Sequence, residues 1–403
     1  MSGRNRRIGP QTAAIHAGEA PDPTTGASAP PIHMSTTFVA DEPLGFSAHD
    51  LSAGSGFVYG RWGSPTVRLL QDKIAALEGT EACLALASGM AATAAVFLTR
   101  LSAGDHLVIS DVCYAGVAEL SRETLPRLGI AVSTVDMSDL TAIEAALRPE
   151  TRLVHCETPA NPILRLTDLA AVARLAHGAG AEMSVDSTFA SPMVTRPADL
   201  GADYVIHSLT KYIGGHGDAL GGAVAASAEK IAALSLEAGI HHGGVLSPFN
   251  AWLIARGAAT LPLRMRAHSE TAQKLAEWLE AQPGVTRVIY PGLASHPQHG
   301  LANRQMAQSS GMIAFQVRDT ARGEALAARM VEELEVIHYA VSLGHHRSLI
   351  TWIETEAILE SSFRLSGLQE DSYRAWAGDG VFRLSVGLEN AEDLIADLAP
   401  ILG

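Results

Sequence analysis

Lys211 stands just past the apolar run Ala202-Asp-Tyr-Val-Ile-His207, inside Ser208-Leu-Thr-Lys-Tyr212 and ahead of a Gly-rich stretch from Gly214 to Gly222. An amine drawn partly out of water has a lowered pKa and becomes nucleophilic. The hydroxyls of Ser208 and Thr210 could hold a phosphate beside it. The combination suggests a Schiff base to pyridoxal 5'-phosphate (PLP); an ordinary strand-end lysine is the competing reading. The chain has four lysines. Lys73, Lys230 and Lys274 fall in helical patterns that read as helix surface. A P-loop is excluded by spacing, because the glycines follow Lys211 where that motif needs them before it.

Other residue types would complete such a site. Asp186 ends the run Met183-Ser-Val-Asp186, twenty-five residues before Lys211. A buried carboxylate needs a cationic partner, which a protonated pyridine nitrogen supplies; otherwise Asp186 is a turn or N-cap residue. Ser88, Gly89 and Met90 stand between a short apolar run and a helical pattern. Free N–H groups at a helix start bind phosphate, and glycine allows close approach; a plain strand-to-helix turn has the same composition. Tyr114 could stack on an aromatic ring or be a loop tyrosine. Tyr59 and Arg61, among aromatics and glycines, suit an anion, although most arginines are simply surface residues. Arg383, in the apolar run Val381 to Val386, needs an anion if buried: a substrate carboxylate or an internal salt bridge. His241-His242 and His345-His346 lack metal-binding spacing, so no metal is expected.

These residues need a scaffold. Strand-like runs at His106–Ile109, Arg152–His155, Glu182–Val185 and Tyr204–His207 alternate with helical patterns such as Val67–Leu77, Met90–Leu101, Leu140–Leu147 and Leu169–Ala176. Such alternation predicts an α/β fold with a mostly parallel sheet in a large domain over 65–256. Sites in such folds gather at the C-terminal ends of the strands, and Glu157, Asp186 and Lys211 all fall just past such ends. From 257 to 403 a long amphipathic helix, Leu261 to Leu279, is followed by strand-like runs and a last helix, which reads as a smaller C-terminal α+β domain. Residues 1–64 look irregular, broken by prolines, yet hold Phe38, Phe46, Phe57 and Tyr59; an arm packed on another surface explains this.

Bulk properties exclude several classes. With 47% hydrophobic and 18% charged residues the chain is globular and well packed. A net charge of −14 argues against nucleic acid, and the basic cluster Arg4 to Arg7 is too short to change that. No apolar stretch follows that cluster, so a secretory signal is not expected. Ala82 to Leu98 is short for a membrane span and interrupted by polar residues. Three scattered cysteines, Cys83, Cys113 and Cys156, fit a reducing cytoplasm.

Taken in order, these residues resemble the Cys/Met-metabolism family of PLP enzymes, of fold-type I. The resemblance runs over nearly the whole chain. It covers His16-Ala-Gly18, Pro30-Pro-Ile32, Tyr59-Gly-Arg61, Ser88-Gly-Met90, Tyr114, Glu157-Thr-Pro-Ala-Asn-Pro162, Val185-Asp-Ser-Thr-Phe189, Ser208-Leu-Thr-Lys-Tyr212, Arg256-Gly257 with Thr260-Leu261, Ser342-Leu-Gly344 and Arg383-Leu-Ser-Val-Gly387. It implies that Lys211 carries PLP and shuttles protons, that Asp186 pairs with the ring nitrogen, and that Tyr114 stacks on the ring and assists proton transfer. It implies phosphate contacts from Ser88, Gly89, Met90, Ser208 and Thr210, joined by Tyr59 and Arg61 of a neighbouring subunit. Asn161, Ser342 and Arg383 would position a substrate carboxylate. It implies a homotetramer built as a dimer of dimers, in the cytoplasm, acting in sulfur amino acid metabolism and transsulfuration.

Departures from the family pattern bear on specificity. Ser187 stands where the family often has Asn, and Tyr114 is followed by Ala-Gly-Val. Cys113 precedes Tyr114, where methionine γ-lyases often carry a cysteine shortly after it. His345-His-Arg-Ser-Leu-Ile-Thr-Trp-Ile353 replaces a segment that usually contains His-Pro. Val341 suits an apolar thioether, where an acid would suit the distal amine of cystathionine. The expected reaction is therefore α,γ-elimination of L-methionine to 2-oxobutanoate, ammonia and a thiol. Cystathionine γ-lyase activity and γ-replacement, as in cystathionine γ-synthase or O-acyl-homoserine sulfhydrylase, are the alternatives. A PLP-binding module without turnover is a third, opposed by the joint presence of Lys211, Asp186, Tyr114 and Arg383.

Overall fold

The computed structural model describes residues 8–43 and 56–403. Arg4 to Arg7 and Phe46 lie outside the described residues. Seven strands make the larger sheet: β1 (Ala82–Leu86), β2 (His106–Ser110), β3 (Ala131–Val135), β4 (Thr151–Glu157), β5 (Glu182–Asp186), β6 (Tyr204–Ser208) and β7 (Gly222–Ala226). Their order is β1-β7-β6-β5-β4-β2-β3. The pairs from β6 through β5, β4 and β2 to β3 are parallel, and β7 is antiparallel to both its neighbours. β2 is buried along its whole length, as a parallel strand covered by helices on both faces must be.

A second sheet contains β8 (Arg287–Ile289), β9 (Met312–Gln316), β10 (His338–Tyr339), β11 (Leu349–Glu354) and β12 (Gly380–Ser385), in the order β10-β11-β12-β9-β8. Its apolar face packs on the long helix Leu261–Glu280 and the last helix Ala391–Leu402. No helix among the described residues is long and apolar enough to cross a membrane.

Helix starts are locally specified. Ser88 precedes the helix Gly89–Arg100 and its hydroxyl accepts the Ala91 N–H at 3.1 Å, an N-cap that satisfies one orphan donor. Pro65 opens the helix Pro65–Glu78 behind Ser64, the position where the missing proline N–H costs nothing.

Three expectations need correction. Lys73 is not on a helix surface: its side chain is fully buried, and its ammonium donates to the carbonyls of Ala14 and Ile15 and pairs with Glu19 at 2.9 Å. The residues before 65 are not wholly irregular, because Pro10–His16 is a helix whose Ala13 and Ala14 are buried. Its last carbonyls are those that Lys73 holds, so the long lysine stem crosses apolar surface to cap a helix C-terminus. Glu157 and Asp186 are the last residues of β4 and β5, not residues beyond them. Strands β3, β7, β10 and β11 were not evident in the sequence; β7 reads Gly-Ala-Val-Ala-Ala, which has neither alternation nor bulk.

Candidate active site

The C-terminal ends of the parallel strands open into a cavity of about 710 Å³ between the two sheets. Glu157 and Asp186 sit side by side in register at the ends of β4 and β5. Their shared floor is polar, and both carboxyls are held above their ordinary range. Burial is the main cause for each; Asp186 adds to it for Glu157, whose pKa is pushed up to about 8. Glu157 accepts the Tyr114 N–H at 2.7 Å and the Asn161 N–H at 2.8 Å. Asp186 accepts the Thr188 N–H at 2.9 Å. Neither carboxylate has an ion-pair partner among the described residues. A floor of two buried acids without a cation is suited to a cationic ring nitrogen.

Lys211 lies three residues past β6, in a loop fastened from behind. The buried Arg264 donates to the carbonyls of Tyr212 at 2.7 Å, Ile213 at 3.2 Å and Gly257 at 2.8 Å. The Lys211 ammonium donates to the Ser342 hydroxyl at 2.7 Å. Burial, and then the nearby Arg383 charge, lower its pKa to about 8. The balance therefore favours a neutral, nucleophilic amine far more than in free lysine.

Ser88, Gly89 and Met90 at the helix start, with Ser208 and Thr210 opposite, line the same cavity. A Cβ on Gly89 would lie 2.9 Å from the Ser208 Cβ, so only glycine allows this approach. The helix start and the two hydroxyls have the chemistry to hold a phosphate. Thr188 couples these groups to the floor: its hydroxyl accepts the Ser208 N–H at 2.8 Å. Tyr114 lines the cavity with its ring half exposed. Cys113, beside it, also lines the cavity, but burial holds its thiol well above the usual range, so it is not a thiolate.

Arg383 projects from β12 into the cavity. Nη1 donates to the Asn161 side-chain oxygen at 2.8 Å and Nη2 to the Ser342 carbonyl at 3.3 Å, while the buried Nε has no partner. Its guanidinium thus keeps an Nε–H that no protein group uses, a donor that a carboxylate could take up. Ser342 has a backbone φ of 116°, a left-handed conformation that a serine adopts only when its surroundings impose it. Such strain at the residue joining Lys211 to Arg383 is a mark of a functional position.

Thus Ser88, Gly89, Met90, Tyr114, Asn161, Asp186, Ser208, Thr210, Lys211, Ser342 and Arg383 come together in one cavity. Tyr59 and Arg61 do not join them. Tyr59 is exposed, and Arg61 donates to the Ile240 carbonyl at 2.5 Å and lies over the Tyr59 ring. The sequence reading missed the organising roles of Glu157 and Thr188, although both lie inside motifs it used. Beyond Val341, it also missed much of the cavity wall. Thr351 is directly opposite Arg383 in the β11–β12 ladder, so the two share a face, and Ile353 follows two residues on. Val341, Ile358 and Phe363 join them in the lining, together with Glu354, Ser361 and Ser362.

A lysine of lowered pKa, groups suited to a phosphate, an acid floor and an unused arginine donor at the strand ends of an α/β sheet define a PLP-dependent enzyme of fold-type I. The chain belongs to the Cys/Met metabolism PLP-dependent enzyme family, whose model matches residues 11–402. Its cofactor is pyridoxal 5'-phosphate. It is 42% identical to the canavanine gamma-lyase of Pseudomonas canavaninivorans over 97% of this chain and 95% of that protein. It is 40% identical to the L-methionine gamma-lyase of Pseudomonas putida over 100% of this chain and 99% of that protein. The crystal structure of cystathionine gamma-lyase from Lactobacillus plantarum complexed with L-serine superposes with a TM-score of 0.86 at 36% identity, covering 98% of both chains. The family match and these relatives make the chain an enzyme of the lyase and synthase group of sulfur amino acid metabolism.

Proposed function

We propose that this enzyme eliminates the γ-substituent of L-methionine, giving 2-oxobutanoate, ammonia and methanethiol. The observation that carries the reading is the set of apolar side chains, Val341, Ile353, Ile358 and Phe363, in the cavity lining. Two glutamates, Glu157 and Glu354, line the same cavity. Glu157 is engaged by two backbone N–H groups. Glu354, at the end of β11, reaches the cavity although its place in the ladder puts it on the face opposite Arg383. The apolar residues favour a methylthio group, whereas a distal amine would have to be met by Glu354.

Lys211 is the proposed attachment point, Asp186 the partner of the ring nitrogen, and Tyr114 the residue stacked on the ring. Ser88, Gly89, Met90, Ser208 and Thr210 would hold the phosphate. When bound, PLP supplies an electron sink for charge that develops at the amino-acid carbons. Arg383, with Asn161 and Ser342 fixing its fork, would grip the α-carboxylate and orient the Cα–H bond. The Lys211 amine, neutral above about pH 8, would take up that proton and carry protons between Cα, Cβ and Cγ. The Tyr114 phenol would assist transfer to and from the leaving group.

The same reading makes the active unit a dimer within a homotetramer. Tyr59 and Arg61, exposed and away from their own chain's cavity, would reach a neighbour's phosphate. We assign residues 1–64 to an arm contacting that neighbour, 65–256 to the cofactor domain and 257–403 to the C-terminal domain. Three unpaired cysteines suit the cytoplasm.

Incubation of the purified protein and PLP with L-methionine tests the assignment. Equal amounts of 2-oxobutanoate and methanethiol are expected, and none with a Lys211→Ala protein. No product from protein that visibly binds PLP overturns the methionine reading and directs the test to cystathionine and to O-acyl-homoserine with sulfide.

A further inference from the structure

We propose that His345 is the outer member of a proton relay, Lys211–Ser342–His345, that exchanges the lysine's protons with solvent by a route outside the substrate cavity. The inference rests on the reading of Lys211 as the proton-carrying base. The Lys211 ammonium donates to the Ser342 Oγ at 2.7 Å, and that Oγ lies 3.4 Å from His345 Nε2. Lys211 and Ser342 line the cavity and His345 does not. The imidazole is half-buried, so it is not sealed from solvent.

The surrounding backbone builds this arrangement. The His346 N–H donates to the Gly215 carbonyl at 3.0 Å, and the Gly344 N–H donates to the Ser385 hydroxyl at 2.9 Å. The segment carrying Ser342 and His345 is thereby clamped onto the loop that carries Lys211. Gly217 of that loop has φ of +71°, and a Cβ there would fall 2.6 Å from His345 Cε1. The loop is glycine where the imidazole lies against it.

The step balances. As an Nζ–H bond of the Lys211 ammonium breaks, its proton joins Ser342 Oγ while the hydroxyl's own proton passes to His345 Nε2. The resulting imidazolium releases its Nδ1 proton to water, and the reverse sequence returns a proton to the amine. His345 must be neutral to accept. The charged and titratable groups around it are Lys211 and Asp218 on the opposing loop, and His346 and Arg347 on its own segment. Burial first, and then the Lys211 charge, lower its pKa, which keeps it an acceptor at neutral pH.

The test is hydrogen exchange at Cα of L-alanine in D2O with the holoenzyme, because alanine has no γ-leaving group and the result is independent of the methionine assignment. Wild-type exchange is expected to depend on Lys211 and to fall on acidification below the ordinary histidine range. His345→Ala and His345→Gln should both exchange at least about tenfold more slowly, in keeping with the usual size of acid–base contributions. Free imidazole should restore part of the rate to the alanine variant. In the full-length protein, the NMR titration of His345 should move to higher pH in Lys211→Ala. A glutamine variant with wild-type exchange would overturn the relay and leave His345 as a spacer. So would a His345 titration indifferent to Lys211. Failure of exchange to respond to Lys211→Ala would instead refute the underlying reading of the lysine.

Discussion

Replacing Arg383 with lysine isolates the carboxylate grip. The guanidinium spends one Nη1 and one Nη2 proton on Asn161 and Ser342 and keeps its Nε–H free. Lysine retains a positive charge, so the electrostatic pressure on Lys211 persists, but it cannot present a two-donor edge to a carboxylate. Loss of one charge-assisted hydrogen bond from a buried fork is worth about 1.5–3 kcal/mol, or roughly 10- to 150-fold in affinity. The assay is a spectral titration of the bound cofactor with two ligands, L-norleucine and pentylamine, which differ only in the carboxylate. Arg383→Lys should weaken norleucine by that factor and change pentylamine by less than about twofold, since a surface or indirect effect is small. Equal losses for both ligands would show that the substitution disturbs the cavity in general. No loss for norleucine would refute the carboxylate assignment outright.

The Lys211 amine should react with a small acylating reagent with a midpoint near pH 8. Reactivity rises with pH because the neutral amine attacks, and Arg383→Met should move the midpoint upward by removing a neighbouring cation. Gly89→Ala puts a methyl group against Ser208, an overpacking that costs about 1–3 kcal/mol; equilibrium dialysis should show PLP affinity lowered by about tenfold or more, and unchanged affinity would remove Gly89 from the phosphate contacts. Lys73→Met leaves Glu19 and the Ala14 and Ile15 carbonyls without their buried donor, a loss of about 2–4 kcal/mol. Limited proteolysis ahead of Pro65 should accelerate in that variant, and an unaltered digestion pattern would show that the N-terminal helix docks without Lys73.

Much of the site was legible because its residue types are chemically constrained. A lysine between hydroxyls at a strand end, an aspartate closing another strand and an arginine in an apolar run each needed a partner, and their order along the chain matched one family. The α/β alternation was equally plain where strands were branched and helices amphipathic, as in Tyr204–Ser208 and Leu169–Gly178. Composition could not reveal β7, because small residues carry no periodic signal and only burial between β1 and β6 makes them a strand.

What the tertiary structure alone decided is who meets whom. Lys73 reads as a surface lysine until the N-terminal helix is laid across it, since its partners are 58 and 59 residues away. The Arg383 fork depends on Asn161, 222 residues distant, and the Lys211 hydrogen bond on Ser342, 131 residues distant. The alternation of β11 puts Thr351 and Ile353 on Arg383's face of the sheet, and the end of that strand brings Glu354 to the cavity as well. Sequence determines which groups are available and what each requires. The folded chain chooses among the possible partners, because burial and distance act only once the sheet ends have been brought together.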